Sequence, residues 1–519
     1  MTAQNPRKTW RETATAFTQS NVVTMLFLGF SAGLPLLLIF SSLSLWLREA
    51  GVERAAVTYF SWAALGYSFK FVWAPLVDKL PLPFLTRLMG RRRAWLLLSQ
   101  IMIMVAIVAM ALIDPATELL ALMGLAAVLL GFSSATQDIV IDAYRIESAE
   151  ADLQALLSST YIVGYRIAMV VSGAGALYIA EYLGSTKALY NYQAWQSTYL
   201  LMAGMMMVGV LTTLMIPEPK QSRSDEHQYG KRDYLRFMLL FIFAVSGFIT
   251  SFYYSSELAQ SAKMQLSSAL GNSNLAGFIV EFLRLALALL IATVVTKLVI
   301  TAGLVKRDMV EATYIAPVRD FFSRYGWSLA WLLLSLVGLY RISDIVLGVI
   351  SNVFYQDLGF TKSEIATVVK TFGVIMSIVG ALLGGLLTLR YGVIRMLFIG
   401  ALLSAATNLL FMLLAQSGHN LPLFYLVVAA DNLAAGLASA AFVAFLSSLT
   451  NISFTAMQYA IFSSLMTLLP KILGGYSGTM VDAVGYEQFF LITALMGLPV
   501  LLLIVWANKY FTLEHGIKK

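Results

Sequence analysis

Cysteine is absent from this chain. Disulfides, thiolate metal centres and cysteine nucleophiles are therefore excluded. Histidine is almost as scarce. His227, His419 and His515 fall in expected loops and near the C-terminus, and no HExxH run or similar metal-ligand spacing occurs. No metal or other cofactor is expected. Charge is thin as well: 12% of residues are Asp, Glu, Lys or Arg, against about 25% in a soluble domain. The deficit extends over the whole length rather than over one anchor.

What remains is apolar. Of 519 residues, 59% are hydrophobic, and the mean hydropathy is +0.78. A helix crossing a bilayer needs about 20 mostly apolar residues. Closed barrels would show short alternating strands instead of these continuous runs. The class is an all-α polytopic membrane protein with lipid as its surroundings. The net charge of +7 follows from loop lysines and arginines and is no sign of nucleic-acid binding.

Fourteen spans are expected. Spans 1–6 cover about 22–47, 56–77, 94–113, 118–140, 156–180 and 197–216. Two middle spans cover about 236–255 and 275–302. Spans 7–12 cover about 328–354, 363–389, 393–415, 421–447, 455–481 and 488–508. Alternate loops collect the cations: Arg7, Lys8 and Arg11; Lys79, Arg87 and Arg91–Arg93; Arg145; the 217–235 linker; Lys306, Arg307, Arg319 and Arg324; Arg390 and Arg395; Lys509, Lys518 and Lys519. The opposite loops hold only Arg48, Arg54, Lys187, Lys263 and Lys362. The positive-inside rule puts the basic loops and both termini in the cytoplasm. Three regions follow: 1–217, six helices; 218–326, a polar linker, two extra helices and a surface helix at about 308–324; and 327–519, six helices. Six spans, an insertion and six spans is the layout of the major facilitator fold. A single chain completes such a bundle, so a monomer is expected.

An internal repeat supports that layout. VDKLPLPFLTRLMGRRR follows span 2 and GGLLTLRYGVIR follows span 8, each ending in glycine and arginine. Both resemble the major facilitator loop signature, although the first carries an insertion and the second lacks the aspartate. Gly29/Gly33, Gly380/Gly384 and Gly474/Gly478 are small-residue pairs that let helices approach closely.

The chemistry lies in charges within the spans. GFSSATQDIVIDAYR, residues 131–145, carries Gln137, Asp138, Asp142 and Arg145. Aspartates four apart share one helix face. An ionisable group in hydrocarbon costs roughly 2.5–3.5 kcal/mol on insertion scales, so it requires a partner or a wet cavity. Lys70 lies in span 2 and Arg166 in span 5. Arg341 and Asp344 lie in span 7, Lys370 in span 8, Asp431 and Asn432 in span 10, and Lys471 and Asp482 in span 11. Glu281, Arg284 and Lys297 lie in the second middle span. Interhelical salt bridges are the simpler reading for the middle-span trio, for Arg341/Asp344 and for Asp482. Asp138 and Asp142 are the candidates for proton coupling. Lys70, Gln137, Arg166, Tyr67, Tyr165, Arg341, Asp344, Lys370, Asp431 and Asn432 are the candidates for substrate binding, since guanidinium forks suit carboxylates and aromatic faces suit sugar rings. Trp46, Trp73 and Tyr340 are aromatic neighbours for which packing is the simpler reading. Asp78, Arg91, Arg92, Arg145 and Asp482 are expected at gates near the cytoplasmic ends.

GFSAGLPLLL (29–38), FKFVWAPLVDK (69–79), GRRRAWLLLSQ (90–100), SSATQDIVIDAYR (133–145), GYRIAMVVSGAGAL (164–177), APVRDFF (316–322), YRISD (340–344), DNLAAG (431–436) and AFVAFLSSLTN (441–451) occur in this order. Together they resemble the AmpG-type muropeptide permeases over nearly the whole chain except 218–310. The resemblance implies proton-driven import of anhydromuropeptides across the bacterial inner membrane for cell-wall recycling, and a link to β-lactamase induction. These are a GlcNAc–anhydroMurNAc sugar bearing a short peptide. It places the family's acidic position at Asp138 and its span-2 lysine at Lys70. Arg341 and Ser343 stand where lysine and glycine are expected, and Asp431 stands for glutamate. Those swaps keep charge and change reach. The bottom-up alternatives are a transporter of acyl-CoA, peptide or drug on the same fold, and a membrane-embedded enzyme. Against the enzyme, no histidine lies in a span core.

Overall fold

The structure is a computed structural model that describes residues 12, 15–53, 60, 65–117, 120–186, 189–219, 230–271 and 273–517. Arg7, Lys8, Arg11, Arg54, Lys187, Lys518, Lys519, much of the first half of span 2 and the centre of the 217–235 linker lie outside them. Among the described residues there is no strand. Thirteen helices are long and apolar enough to cross a membrane. They match the expected spans, leaving out span 2. The described part of span 2 is Leu65–Phe69, a 3-10 turn at Lys70–Val72 and a helix Ala74–Lys79. Pro75 explains the break: it has no N–H to donate and disfavours helical geometry in the residue before it.

Other spans are also interrupted. Span 1 runs Ser20–Ile39 and resumes at Ser41–Glu49. Span 5 runs Gln154–Val170, with one π-helical turn at Val171–Gly175 before Ala176–Tyr182. Span 7 breaks at Arg341, before Ile342–Asp357. Span 8 has a π-helical stretch, Ala366–Phe372, that carries Lys370. π turns and helix breaks gather at functional positions in membrane and soluble helices alike. Span 4, Leu120–Glu147, is by contrast one continuous helix.

Residues Asp225–Asp320 form one compact unit, and Met1–Ser224 with Phe321–Lys519 form the other. In the smaller unit the first helix, Lys231–Tyr254, continues as Ser256–Leu270, past its expected end near residue 255. Arg284 explains how the join is tolerated. Its Nε donates to Phe252 O and Ser255 Oγ, each at 3.1 Å, and its guanidinium lies 3.8 Å from the Phe252 ring centroid. Glu281 pairs with it at 3.2 Å, three residues away on the same helix, so this ion pair is not the interhelical bridge expected; Lys297 is exposed.

In the larger unit, glycine decides which helices touch. A Cβ on Gly29 or Gly33 of span 1 would lie 2.1 or 2.3 Å from the carbonyl oxygens of Tyr161 or Tyr165 in span 5. Gly380 and Gly384 of span 8 meet Leu433 and Leu437 of span 10 in the same way, at 2.2 and 2.7 Å. Gly478 has nothing within 4 Å, so the third glycine pair is no such contact. Each six-helix half has its own apolar core, one around Trp46, Met110, Trp195 and Tyr199, the other around Leu333, Phe354, Phe411 and Phe442. The internal repeat is visible in the backbone. Gly90 (φ 87, ψ 170) and Gly392 (φ 90, ψ 155) precede spans 3 and 9 in the same left-handed conformation.

Candidate functional site

The ends of the spans next to the basic loops are tied together across the two halves. Arg92 opens span 3 and is 1% exposed. Its Nη2 donates to Asp78 Oδ1 at 2.8 Å and to Glu147 Oε1 at 2.5 Å, and its Nε donates to Glu147 Oε2 at 3.0 Å. Two carboxylates face one guanidinium, which leaves one negative charge over. That charge meets the start of span 11 in the other half. Asp78 accepts the backbone N–H of Ala456 at 3.1 Å and of Met457 at 2.9 Å, and Glu147 accepts the Thr455 hydroxyl at 2.8 Å. The first N–H groups of a helix have no internal partner and carry partial positive charge. The aspartate therefore caps a helix of the opposite half. Glu218 caps span 3 by the same logic, accepting Arg92 N at 2.8 Å and Arg93 N at 3.0 Å. Arg91 is half-buried at the first position of that helix.

One layer deeper, Asp142 is shared. Lys70 Nζ lies 3.6 Å from its Oδ2, and Arg145 Nη2 donates to its Oδ1 at 3.2 Å. Arg145 is fully buried. Its Nη1 donates to Ser158 Oγ in its own half and to Ser447 Oγ in the other, both at 2.8 Å. Its guanidinium also stands 5.1 Å from the ring centre of Tyr459 in span 11. Asp138, one turn back from Asp142, is 8% exposed. Its Oδ1 is buried and accepts no hydrogen bond from a described residue. Lys70, Asp142 and the Tyr161 hydroxyl are the groups that act on it. Gln137 accepts the Ser31 hydroxyl at 2.9 Å, and its buried Nε2 finds no acceptor among the described residues. The Tyr67 hydroxyl bonds Ser134 Oγ at 2.5 Å, and half-buried Tyr165 lies beside Tyr161, with ring centres 6.0 Å apart.

Arg166 of span 5 and Arg341 of span 7 act on each other electrostatically across the halves. Both are half-buried at mid-span. Among the described residues no carboxylate pairs with Arg166; its Nη1 donates to the Met169 sulfur at 3.9 Å. Arg341 lies 3.6 Å from Asp344. Asp431 is acted on by Asp344 and Arg341. Asn432 donates to its own Val428 carbonyl at 3.0 Å. Lys370 is exposed, on the π-helical stretch of span 8. Trp73, Trp46 and Tyr340 prove to be packing groups. The first donates to Thr136 Oγ1 at 3.0 Å, the second stacks on Trp195 with centroids 5.7 Å apart, and the third stacks on Phe442 at 4.2 Å.

One expected placement is corrected. Asp482 lies past the end of span 11 that is remote from the basic loops, exposed and beside Tyr486. Span 11 begins at the basic end, at Thr455, so twenty-odd residues of helix carry Asp482 to the other end. It cannot meet the loop arginines. Conversely, Glu147, Glu218, Thr455 and Tyr459 were missed. The signal was present: acids near a basic loop need assigning to particular cations, and the orientation argument weighs cations alone.

The family model described as Major Facilitator Superfamily matches residues 22–307 and 320–514. An anhydromuropeptide permease of Escherichia coli is 30% identical over 500 residues, which is 96% of this chain and 82% of that protein. The chain belongs to the AmpG-type permease family of the major facilitator superfamily. A Rickettsia conorii protein named putative transporter AmpG 4 is 29% identical over 492 residues, 95% of this chain and 97% of its own. Among solved structures, the proton:xylose symporter XylE bound to 6-bromo-6-deoxy-D-glucose superposes with a TM-score of 0.59 at 13% identity, covering 94% of each chain. FucP in the outward conformation gives 0.56 at 12% identity, covering 94% of this chain and 98% of that one. These likenesses establish the fold. As a major facilitator permease, the chain is a multi-pass membrane transporter of small molecules, not an enzyme.

Proposed function

We propose that this permease imports anhydromuropeptides by proton symport with alternating access, in the cytoplasmic membrane of a bacterium. The observation that carries the cargo assignment is the 30% identity to an anhydromuropeptide permease over 96% of the chain. The residue chemistry supports it. Arg166 and Arg341 offer two guanidiniums to the carboxylates of a sugar-peptide, and such groups bind carboxylates as bidentate forks. Tyr67, Tyr165, Gln137 and Asn432 supply hydroxyl, amide and ring contacts suited to sugars and peptide bonds. Lys370, Asp344 and Asp431 border the same path. Asp138 carries the proton: a buried carboxyl with an unused oxygen beside a lysine has no other evident use. A proton moving down the membrane potential releases about 2.3 kcal/mol per 100 mV, enough to draw cargo inward.

On this reading the basic end, with both termini, faces the cytoplasm. The Asp78–Arg92–Glu147 bonds and Arg145 then hold the cytoplasmic gate shut, while residues 1–217 and 327–519 are the halves that rock against each other. A monomer suffices. Uptake of labelled anhydromuropeptide into membrane vesicles tests it. Wild-type uptake is expected to rise with an inward proton gradient, Asp138→Asn to lose that stimulation, and Arg166→Gln to raise KM at unchanged thermal stability. Absence of muropeptide uptake would reassign the cargo; uptake indifferent to the gradient would remove proton coupling.

A further inference from the structure

We propose that Lys70 is the positioning residue through which the proton on Asp138 controls the closed end of the molecule. The proposal rests on the reading of Asp138 as proton carrier and adds the path from it to the gate. A buried ammonium is held charged by a carboxylate counter-ion, and loss of that partner is strongly unfavourable. Lys70 is 6% exposed. Its present partner is Asp142, at 3.6 Å. Asp138 lies one turn away on the same helix face, with its Oδ1 buried and unused. Lys70 also sits in the 3-10 turn ahead of Pro75, not within a regular helix. A flexible four-carbon stem on such a turn can re-aim between two carboxylates one helical turn apart.

The groups facing Asp138 are few. Span 2 presents Lys70 and Tyr67, span 5 presents Tyr161 and Tyr165, span 11 presents Tyr459, and its own helix presents Asp142. Tyrosines stay neutral near neutrality, so Lys70 and Asp142 are the charges it meets. While Asp138 is protonated, Asp142 is the ionised carboxylate available to Lys70. When Asp138 gives up its proton, it competes for the ammonium. Asp142 is then left to Arg145 alone, and the guanidinium is drawn away from Ser447 and Tyr459 of the other half. The same short segment that bears Lys70 bears Asp78, which caps span 11. Proton loss therefore loosens both ties.

The absence of cysteine makes the test direct. Leu88→Cys and Ile452→Cys, both exposed near the basic end, take spin labels in the full chain, and pulsed electron resonance reads their separation without cargo. In the wild-type background the longer-distance population is expected to grow as pH rises. Lys70→Gln should lose that response and Lys70→Arg should restore it. A Lys70→Gln chain that follows pH as the wild type does overturns the proposal. Should that variant fail to fold, Asp142→Asn is expected to lose the response too, and its retention is equally decisive. A wild type blind to pH, or an Asp138→Asn chain that still responds, would instead overturn the reading of Asp138 as the proton carrier.

Discussion

The two halves meet at the basic end in two related places, and the means differ. Where span 2 meets span 11, buried ions do the joining: Asp78 and Glu147 reach from one half to the first turn of a helix in the other, with Arg92 between them. Where span 5 meets span 8, the partner positions in the repeat, the helices pack closely. Gly385 lies so close to Ser159 that an added Cβ would fall 2.3 Å from its hydroxyl oxygen. The first copy of the loop signature has its aspartate and holds by charge and capping; at the second, which lacks it, a glycine brings the two helices into close contact. A gate that must open in every cycle is thus tied on one side by bonds that water can replace, and on the other closes over a tight glycine contact.

The ionic crossing should give the largest effect when broken. Arg92→Leu leaves Asp78 and Glu147 buried without their cation, and removing one partner of a buried ion pair typically costs about 3–5 kcal/mol. Thermal unfolding in detergent should show that loss, and the label separation described above should lengthen. An unchanged melting point would mean that the helix N-terminus alone satisfies both acids. The contact crossing should respond to bulk instead. Gly385→Leu overfills the seam, which typically costs about 1–3 kcal/mol, and the cost falls on the closed form, because separated halves have room. The expected signature is a shift toward the longer separation, larger than any drop in melting temperature. Equal effects on both would place the strain inside one half.

How much of this was legible beforehand depended on distance along the chain. Helices, their number and the basic end follow from runs and loop charges, which are local. The span-4 face of Asp138 and Asp142 is also local, since four residues set it. Lys70 finding Asp142, and Asp78 finding span 11, are contacts across long stretches of sequence. No periodicity encodes them; only the family-like motifs hinted that those residues mattered. Asp482 was misplaced because its charge was weighed without following span 11 to its far end. The break at Lys70 was readable from Pro75, whereas the extension of the first middle helix to Leu270 depends on Arg284, a residue of another helix.

A finer comparison lies in the paired glycines. Gly90 and Gly392 share a backbone region essentially reserved for glycine, so alanine at either costs of order 1–3 kcal/mol. Only Gly90 has a neighbour in the way: its Cβ would fall 2.4 Å from the Glu218 side chain, while Gly392 has nothing within 4 Å. Gly90→Ala should therefore lower the melting temperature more than Gly392→Ala, and the excess should shrink in a Glu218→Ala background. Equal losses in both copies would show that Glu218 yields freely and that its cap on span 3 is weak.

The smallest effect is expected at the remote end. Asp482 is exposed, and substitutions at exposed positions away from caps and cores usually stay within about 0.5 kcal/mol. Asp482→Asn should leave melting temperature, label separation and gradient-driven uptake as they are. Its value is as a contrast to Asp78→Asn, which makes the same chemical change at the basic end but weakens a cap that spans two halves. A transport defect in Asp482→Asn would mean that the remote end has an ionic crossing of its own in another stage of the cycle. The asymmetry between charged and contact seams would then alternate with the direction the transporter faces, instead of belonging to one end.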